Sequence, residues 1–513
     1  MINRFFRTAK IAAVCLLSLL TLLMPLCIAG AADDTAENLS ARCKYSADFT
    51  VHAERLRDAD FDTVQKIAKG KTVSVAWDDS VPVASVYVSF YSAPVAHTIM
   101  QFDEKGSKLS EEAGSMLYND KIPVLPETRK VSFRADADNC QLCSLYALGT
   151  GSYPDYHPFA ETIEKADYMT FAMHPDDDVL FLGAIYPIYE ADRGLSGISM
   201  IMSTKLPEKF QRERRQEDMN GAWILGLKTQ PVFGGFPDIP QNYYNQFHHT
   251  FTKDDVTRYA VTMIRTYRPE VVMTQDLNGE YGHWQHKVLA QGIQVAVPLA
   301  ADPDYQPKGY PKTDPWEVKK LYIHLYDQNK LTLDVDRPIA VLNGKSAFET
   351  AQDAFLMHPT QTKKDNHHVS KTEYSLAEFG LAYTTVGLDT PGINDMFEHI
   401  DPLSLSVTPA PVITPSPTPE ITEAPVTPEP VTAEPTFTPE PVVPDDTPQP
   451  EITAVPVIAE DTAIPSVSPE PTPVDPATTT NNRTNDIVFW IGGGLLVLLV
   501  VLLILLIFTR KRR

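Results

Sequence analysis

Between about residues 160 and 400, short continuous apolar runs alternate with longer helical ones, and few architectures accept that pattern. Asp167–Met173 (DYMTFAM), Gly197–Thr204 (GISMIMST) and Glu270–Asp276 (EVVMTQD) have the length and composition of strands buried on both faces. Val179–Gly194, Gln211–Leu227 and Asp254–Arg268 read as the helices between them. Strands separated by helices predict a parallel α/β sheet, whose ligands gather at the carboxyl ends of the strands.

The grammar differs on the amino-terminal side. Over residues 35–155, TVSVAW, ASVYVSFYS, HTIMQF, KVSFRA and SLYALG are period-two runs separated by Asp, Gly, Pro and Lys, which predicts an antiparallel β-sandwich. The pattern is similar to galactose-binding-like jelly rolls, although no residue in it identifies a ligand. A spacer role fits the sequence equally well.

The ends are spent on something other than folding. Residues 1–32 carry Arg4, Arg7 and Lys10, an apolar run from Ile11 to Ile28 and then Ala29-Gly30-Ala31, which reads as a cleaved signal peptide. The alternative is an uncleaved anchor. Residues 403–485 form a Pro/Thr/Glu-rich tether, holding 20 of the 43 prolines between Pro409 and Pro476 and too little apolar surface to fold. Ile487–Phe508 is uncharged and long enough to cross a bilayer, and the basic tail 509–513 after it suits the cytoplasmic side. The expected location is thus a single-pass anchor in the cell membrane with the folded part outside. The formal charge of −22 argues against nucleic acid as a partner. Of the cysteines outside the leader, Cys43, Cys140 and Cys143, two can form one disulfide, Cys43 with either of the others.

Two strand exits carry the chemistry. FAMHPDDDVLFLGA (Phe171–Ala184) sets three aspartates between buried segments, and a divalent cation would offset their repulsion. His174 and Asp177 can point to one centre across the proline turn, with Asp176 beside it. A solvated helix cap would use the same residues. The second exit, TQDLNGEYGHWQHKVLAQG (Thr274–Gly292), brings His283 and His286, three apart on one helix face. A lone His pair is usually surface or core, but two metal-compatible clusters at neighbouring strand ends favour a shared ion.

AMHPDDD followed by NGEYGHWQH resembles the GlcNAc-phosphatidylinositol de-N-acetylases, also called the PIG-L or LmbE-like family. So do RRQEDMNGAWILGL, GGFPD and NGKSAFETAQDAFLMHPTQ, in order, over about 164–400. The resemblance implies a Rossmann-like sheet and zinc-dependent removal of acetyl groups from amino sugars. It implies His174, Asp177 and His286 as metal ligands and Asp176 as general base. It gives His283 to the oxyanion or the leaving amine, Tyr281 to the carbonyl and Asp238 to the pocket. Asp178 stands where the family has Glu, and Trp284-Gln285 where it has Pro-Asp.

The donor set suits Zn²⁺, with Fe²⁺ as the alternative, because two imidazoles and a carboxylate leave coordination positions open. The expected substrate is an N-acetylated sugar or glycoconjugate. The competing expectation is a non-catalytic surface glycan-binding protein built on a degenerate scaffold.

Overall fold

The computed structural model describes residues 35–406, apart from 59, 61–62, 206–210 and 364–366. The signal peptide, most of the tether, the membrane span and the basic tail lie outside the described residues. Among the described residues no helix is long and apolar enough to cross a membrane.

Nine strands come first: β1 (Lys44–Ala47), β2 (Gln65–Ile67), β3 (Thr72–Ala76), β4 (Ser85–Phe90), β5 (His97–Phe102), β6 (Lys108–Ala113), β7 (Asn119–Pro123), β8 (Lys130–Ala135) and β9 (Cys140–Leu148). They make two antiparallel sheets, ordered β1-β3-β8-β5-β6 and β2-β9-β4-β7. Val73, Val75 and Phe133 of one sheet share a core with Val88, Phe90 and Leu145 of the other, as alternating strands facing each other require. The expected strands are β3, β4, β5, β8 and β9. The short β1, β2 and β7 and the edge strand β6 escaped the period-two reading, and β6 (KLSEEA) is largely exposed.

The cysteines correct one expectation. Cys43, Cys140 and Cys143 are buried and free. Burial lifts the Cys43 thiol to about 11 and that of Cys140 to about 12, so both remain protonated and pack as small apolar groups.

Seven further strands form a third sheet: β10 (Tyr168–Ala172), β11 (Gly197–Lys205), β12 (Val232–Pro237), β13 (Val271–Thr274), β14 (Lys320–His324), β15 (Lys330–Thr332) and β16 (Glu378–Thr384). Their order is β12-β11-β10-β13-β14-β16-β15. The first five run parallel, whereas β16 pairs antiparallel with both β14 and β15. The sheet is therefore mixed rather than wholly parallel. A chain that has finished its helical crossovers can close the edge by doubling back.

Helices α1 (Asp177–Leu182), α2 (Gln211–Ile224), α3 (Lys253–Tyr267), α4 (Trp284–Ala301) and α5 (Ala347–Phe355) surround it. α3 and α5 begin in reciprocal capping boxes, Thr252 with Asp255 and Ser346 with Glu349, which satisfy amides that the first helical turn leaves unpaired. β10 and β13 are buried along their whole length because the sheet is covered on both faces. The chain leaves β10 towards β11 and β12 and then returns to β13 on the other side. That reversal is a topological switch point, and the crevice outside it lies between the exits of β10 and β13.

Candidate active site

The two exits are tied together before any functional side chain is placed. Gln275, just past β13, accepts from the amide of Met173, just past β10, at 2.8 Å. Beyond Gln275 the chain turns at Gly279, where φ is +70° and an added Cβ would fall 2.5 Å from the carbonyl oxygen of His283. Only glycine fits that approach, and it delivers His283 and His286 to the start of α4.

The ligands expected from the sequence converge. His174 Nδ1 lies 3.0 Å from Asp177 Oδ2, His286 Nε2 lies 3.1 Å from the same oxygen, and the two nitrogens are 3.1 Å apart. All three side chains are buried. This near-equilateral triangle approaches the separation of about 3.3 Å between ligand atoms around a tetrahedral ion with bonds of about 2.0–2.1 Å. A nitrogen of His283 also falls within 4.8 Å of those of His174 and His286.

Around the triangle lies a layer that the sequence reading missed. His286 Nδ1 lies 2.9 Å from Glu280 Oε2, so that with a bound ion the ring's proton would sit on Nδ1 and Nε2 would address the triangle. The other oxygen of Glu280 faces His324 Nδ1 at 2.7 Å, and His324 Nε2 donates to the Ser375 carbonyl at 3.0 Å. Burial would raise the Glu280 carboxyl, but hydrogen bonds from His286 and His324 outweigh it and draw it down to about 2. Burial would likewise lower His286, yet Asp177 and Glu280 on either side raise it to about 10. Glu280→Gln is expected to weaken metal binding by about 10–100-fold while the chain stays folded, measured by competition with a chelator. An unchanged affinity would remove Glu280 from any role in orienting His286.

Asp176 is buried but stands outside the triangle. Its backbone has φ +126° and ψ −30°, a conformation that side-chain-bearing residues rarely hold without outside support. Arg214 of α2 supplies that support, donating to the Pro175 carbonyl and, at 2.7 Å, to Asp176 Oδ1. The same guanidinium reaches Asp238 Oδ2 at 3.4 Å, and Asp238 Oδ1 lies 3.5 Å from His174 Nε2. Asp238 thus sits beside both His174 and Arg214, and it lines the same cavity as they do.

His283 is half-buried at the rim, where burial first and then the charges of His174 and His286 hold its imidazole down to about 2, so the ring is neutral. Tyr281 lines the same cavity, its ring stacked 5.4 Å from that of His367. Asp178 points away into the core against Asp218 of α2. Burial, then Asp176 and Asp177, raise Asp178 to about 7, and burial, then Asp178, raise Asp218 as well, so the pair is drawn towards holding a proton. Gln285 accepts from the Ile239 amide and donates to the Pro237 carbonyl, both at 2.8 Å, and so fixes the FPD segment beside the site.

The cavity holds about 330 Å³ and is lined by His174, Asp176, Asp177, His283, His286 and Tyr281 among others. Residues 169–297 match the model of the family described as PIG-L, GlcNAc-PI de-N-acetylase. The chain carries a PIG-L family domain.

Curated relatives are similar to part of the chain. A 1D-myo-inositol 2-acetamido-2-deoxy-alpha-D-glucopyranoside deacetylase 2 from Saccharopolyspora erythraea is 43% identical over 171 residues, which cover 29% of this chain and 61% of that protein. A deacetylase 1 of the same description from Frankia casuarinae is 27% identical over 189 residues, 32% of this chain and 60% of that protein. The chain spans about three fifths of the length of the curated relatives it matches. Among solved structures, the N,N'-diacetylchitobiose deacetylase from Pyrococcus horikoshii aligns over 39% of this chain and 72% of its own, with 19% identity and a TM-score of 0.29. The PIG-L domain begins inside β10 and ends inside α4, so it takes in both strand exits.

Proposed function

We propose that the chain is a metal-dependent hydrolase that removes acetyl groups from N-acetylated amino sugars. The observation that carries the proposal is the ligand triangle at the switch point with an ion-paired carboxylate, Asp176, outside it and in the same cavity. The PIG-L domain and relatives described as deacetylases of an acetamido sugar support the substrate class.

The donor set passes a test of fit. Two imidazole nitrogens and a carboxylate oxygen converge on one buried point, and each has an outer partner: Asp238 for His174, Glu280 for His286, and the His174 amide at 2.8 Å for Asp177. These residues suit Zn²⁺ or Fe²⁺. When bound, such an ion supplies Lewis acidity for the attacking water and for the acetyl carbonyl.

The chain's own groups do the rest. Asp176, held by Arg214, accepts the proton of the water that attacks the amide carbon. The neutral His283 imidazole donates an N–H to the oxygen that becomes negative. Asp176 then returns its proton to the departing nitrogen, the C–N bond breaks, and the amine leaves with acetic acid, whose remaining proton passes to solvent to give acetate. Tyr281, which lines the cavity, is assigned in this proposal to the acetyl carbonyl.

The test is acetate release from a panel of N-acetylglucosamine derivatives, abolished by chelation and restored by Zn²⁺ or Fe²⁺. A protein that binds the ion but releases acetate from none of the panel, while retaining glycan binding in chelator, supports the non-catalytic reading instead. We also propose that the reaction takes place outside the cell membrane, on the strength of the leader 1–32 and the apolar stretch 487–508. Protease shaving of intact cells tests this, since an enclosed protein would survive it.

A further inference from the structure

Three buried arginines of α2 do not share a direction. Arg212 and Arg215, three apart, lie on one side, whereas Arg214 is about 200° from Arg212 around the helix. The first two enter the N-terminal sandwich. Arg212 Nη2 donates to the hydroxyls of Ser89, at 2.9 Å, and Ser144, at 3.2 Å. Arg215 donates to the carbonyls of Phe90, at 2.6 Å, and Tyr91, at 2.8 Å, with its guanidinium 4.0 Å from the centre of the Tyr118 ring.

Both carbonyls lie just past a slip in register of β4 against β9 between Ser89 and Phe90, an irregularity of the kind that re-aims a backbone. Arg214 faces the other way and holds Pro175 and Asp176. Burying two guanidinium groups is unfavourable unless they are well partnered, and α2 does not need such anchors to be helical. What they achieve is to fix the rotation and height of α2, and therefore the position of the Arg214 guanidinium.

We propose that the sandwich is a brace for the acidic turn rather than a separable module: Arg212 and Arg215 are positioning residues that hold α2 so that Arg214 can keep Asp176 in its left-handed conformation. The kinetic part of the test rests on Asp176 as the general base; the exchange part does not. In the full chain, Arg212→Met with Arg215→Met is expected to speed amide exchange in residues 173–182, read by mass spectrometry, by about tenfold or more. The same pair should lower kcat by about 10–100-fold, with KM and bound metal nearly unchanged, because displacement of a reacting group by about 1 Å has effects of that order. In an Arg214→Met background, Arg215→Met should cost nothing further, since both act through one contact.

Unchanged exchange in the turn, or a loss that adds in full to that of Arg214→Met, overturns the brace. If the double substitution unfolds the chain, Ser144→Ala, which removes one acceptor of Arg212 at 3.2 Å, is read in the same two ways. If the wild type releases acetate from no substrate, the deacetylase reading fails, and the exchange measurement still decides the brace.

Discussion

Asp176→Asn should leave the ion bound and lower kcat by about 10²–10⁴-fold, the range associated with a general base. The geometry separates the two functions cleanly. Asp176 is not one of the three atoms that form the triangle, so its charge is not needed to hold the ion. Asparagine keeps the oxygen that accepts from Arg214 at 2.7 Å, but it cannot take a proton from water. Losing a charge opposite the buried Arg214 destabilises the chain, with Asp238 left as a partial counter-charge at 3.4 Å.

The backbone gives an independent check on the same residue. At φ +126°, Asp176→Gly should melt higher than Asp176→Ala, by about 1 kcal/mol or more, although both are inactive. Metal content by mass spectrometry, kcat on an acetylated amino sugar and thermal melts decide all three points. An Asn variant that keeps more than about a tenth of wild-type kcat would falsify the assignment of the base.

What the sequence made legible, and what it hid, follows from how far apart the partners are. β10, β11 and β13 could be read because strands buried on both faces are continuous apolar text. His174, Asp177, His283 and His286 could be read because two short segments carry them and each follows such a strand. Glu280 was within reach, lying in the quoted NGEYGH, but nothing in its spacing distinguishes a buried carboxylate from a turn residue. His324 lies 44 residues beyond Glu280, and no local pattern reports a contact that the sheet creates.

Arg214 was visible as one of several charges on a helix. Its role depends on which way α2 faces, and that is set by Arg212 and Arg215 entering a sandwich through partners 68 to 125 residues upstream. The antiparallel edge, β16 with β15, is hidden for a similar reason: strand direction is a property of the return path rather than of the strand's own residues. The free cysteines make the same point. Pairing depends on distance, and an exported chain's composition only permits it.

The two histidines of GHWQH should behave in opposite ways. His286→Ala should lose both the ion and turnover, because its Nε2 is a corner of the triangle and its Nδ1 is already committed to Glu280. His283→Ala should keep the ion and lose about 10²–10³-fold in kcat, the effect of removing one donor from a developing oxyanion. His283 nevertheless has a nitrogen close enough to His174 and His286 to make a three-histidine centre geometrically possible. That alternative leaves Asp177 as an outer carboxylate, and it predicts that His283→Ala strips the ion as completely as His286→Ala does. We propose the first arrangement on the ground that Asp177 Oδ2 is 3.0 Å and 3.1 Å from the two imidazoles and that, among the described residues, His283 Nδ1 has no hydrogen-bond partner of its own. A ligand nitrogen needs an outer partner to fix its ring, and Glu280 and Asp238 provide one to His286 and His174. Metal stoichiometry of the two variants at matched purity decides between the arrangements, with His286 melts compared without the ion because its removal leaves Asp177 and Glu280 short of a buried partner.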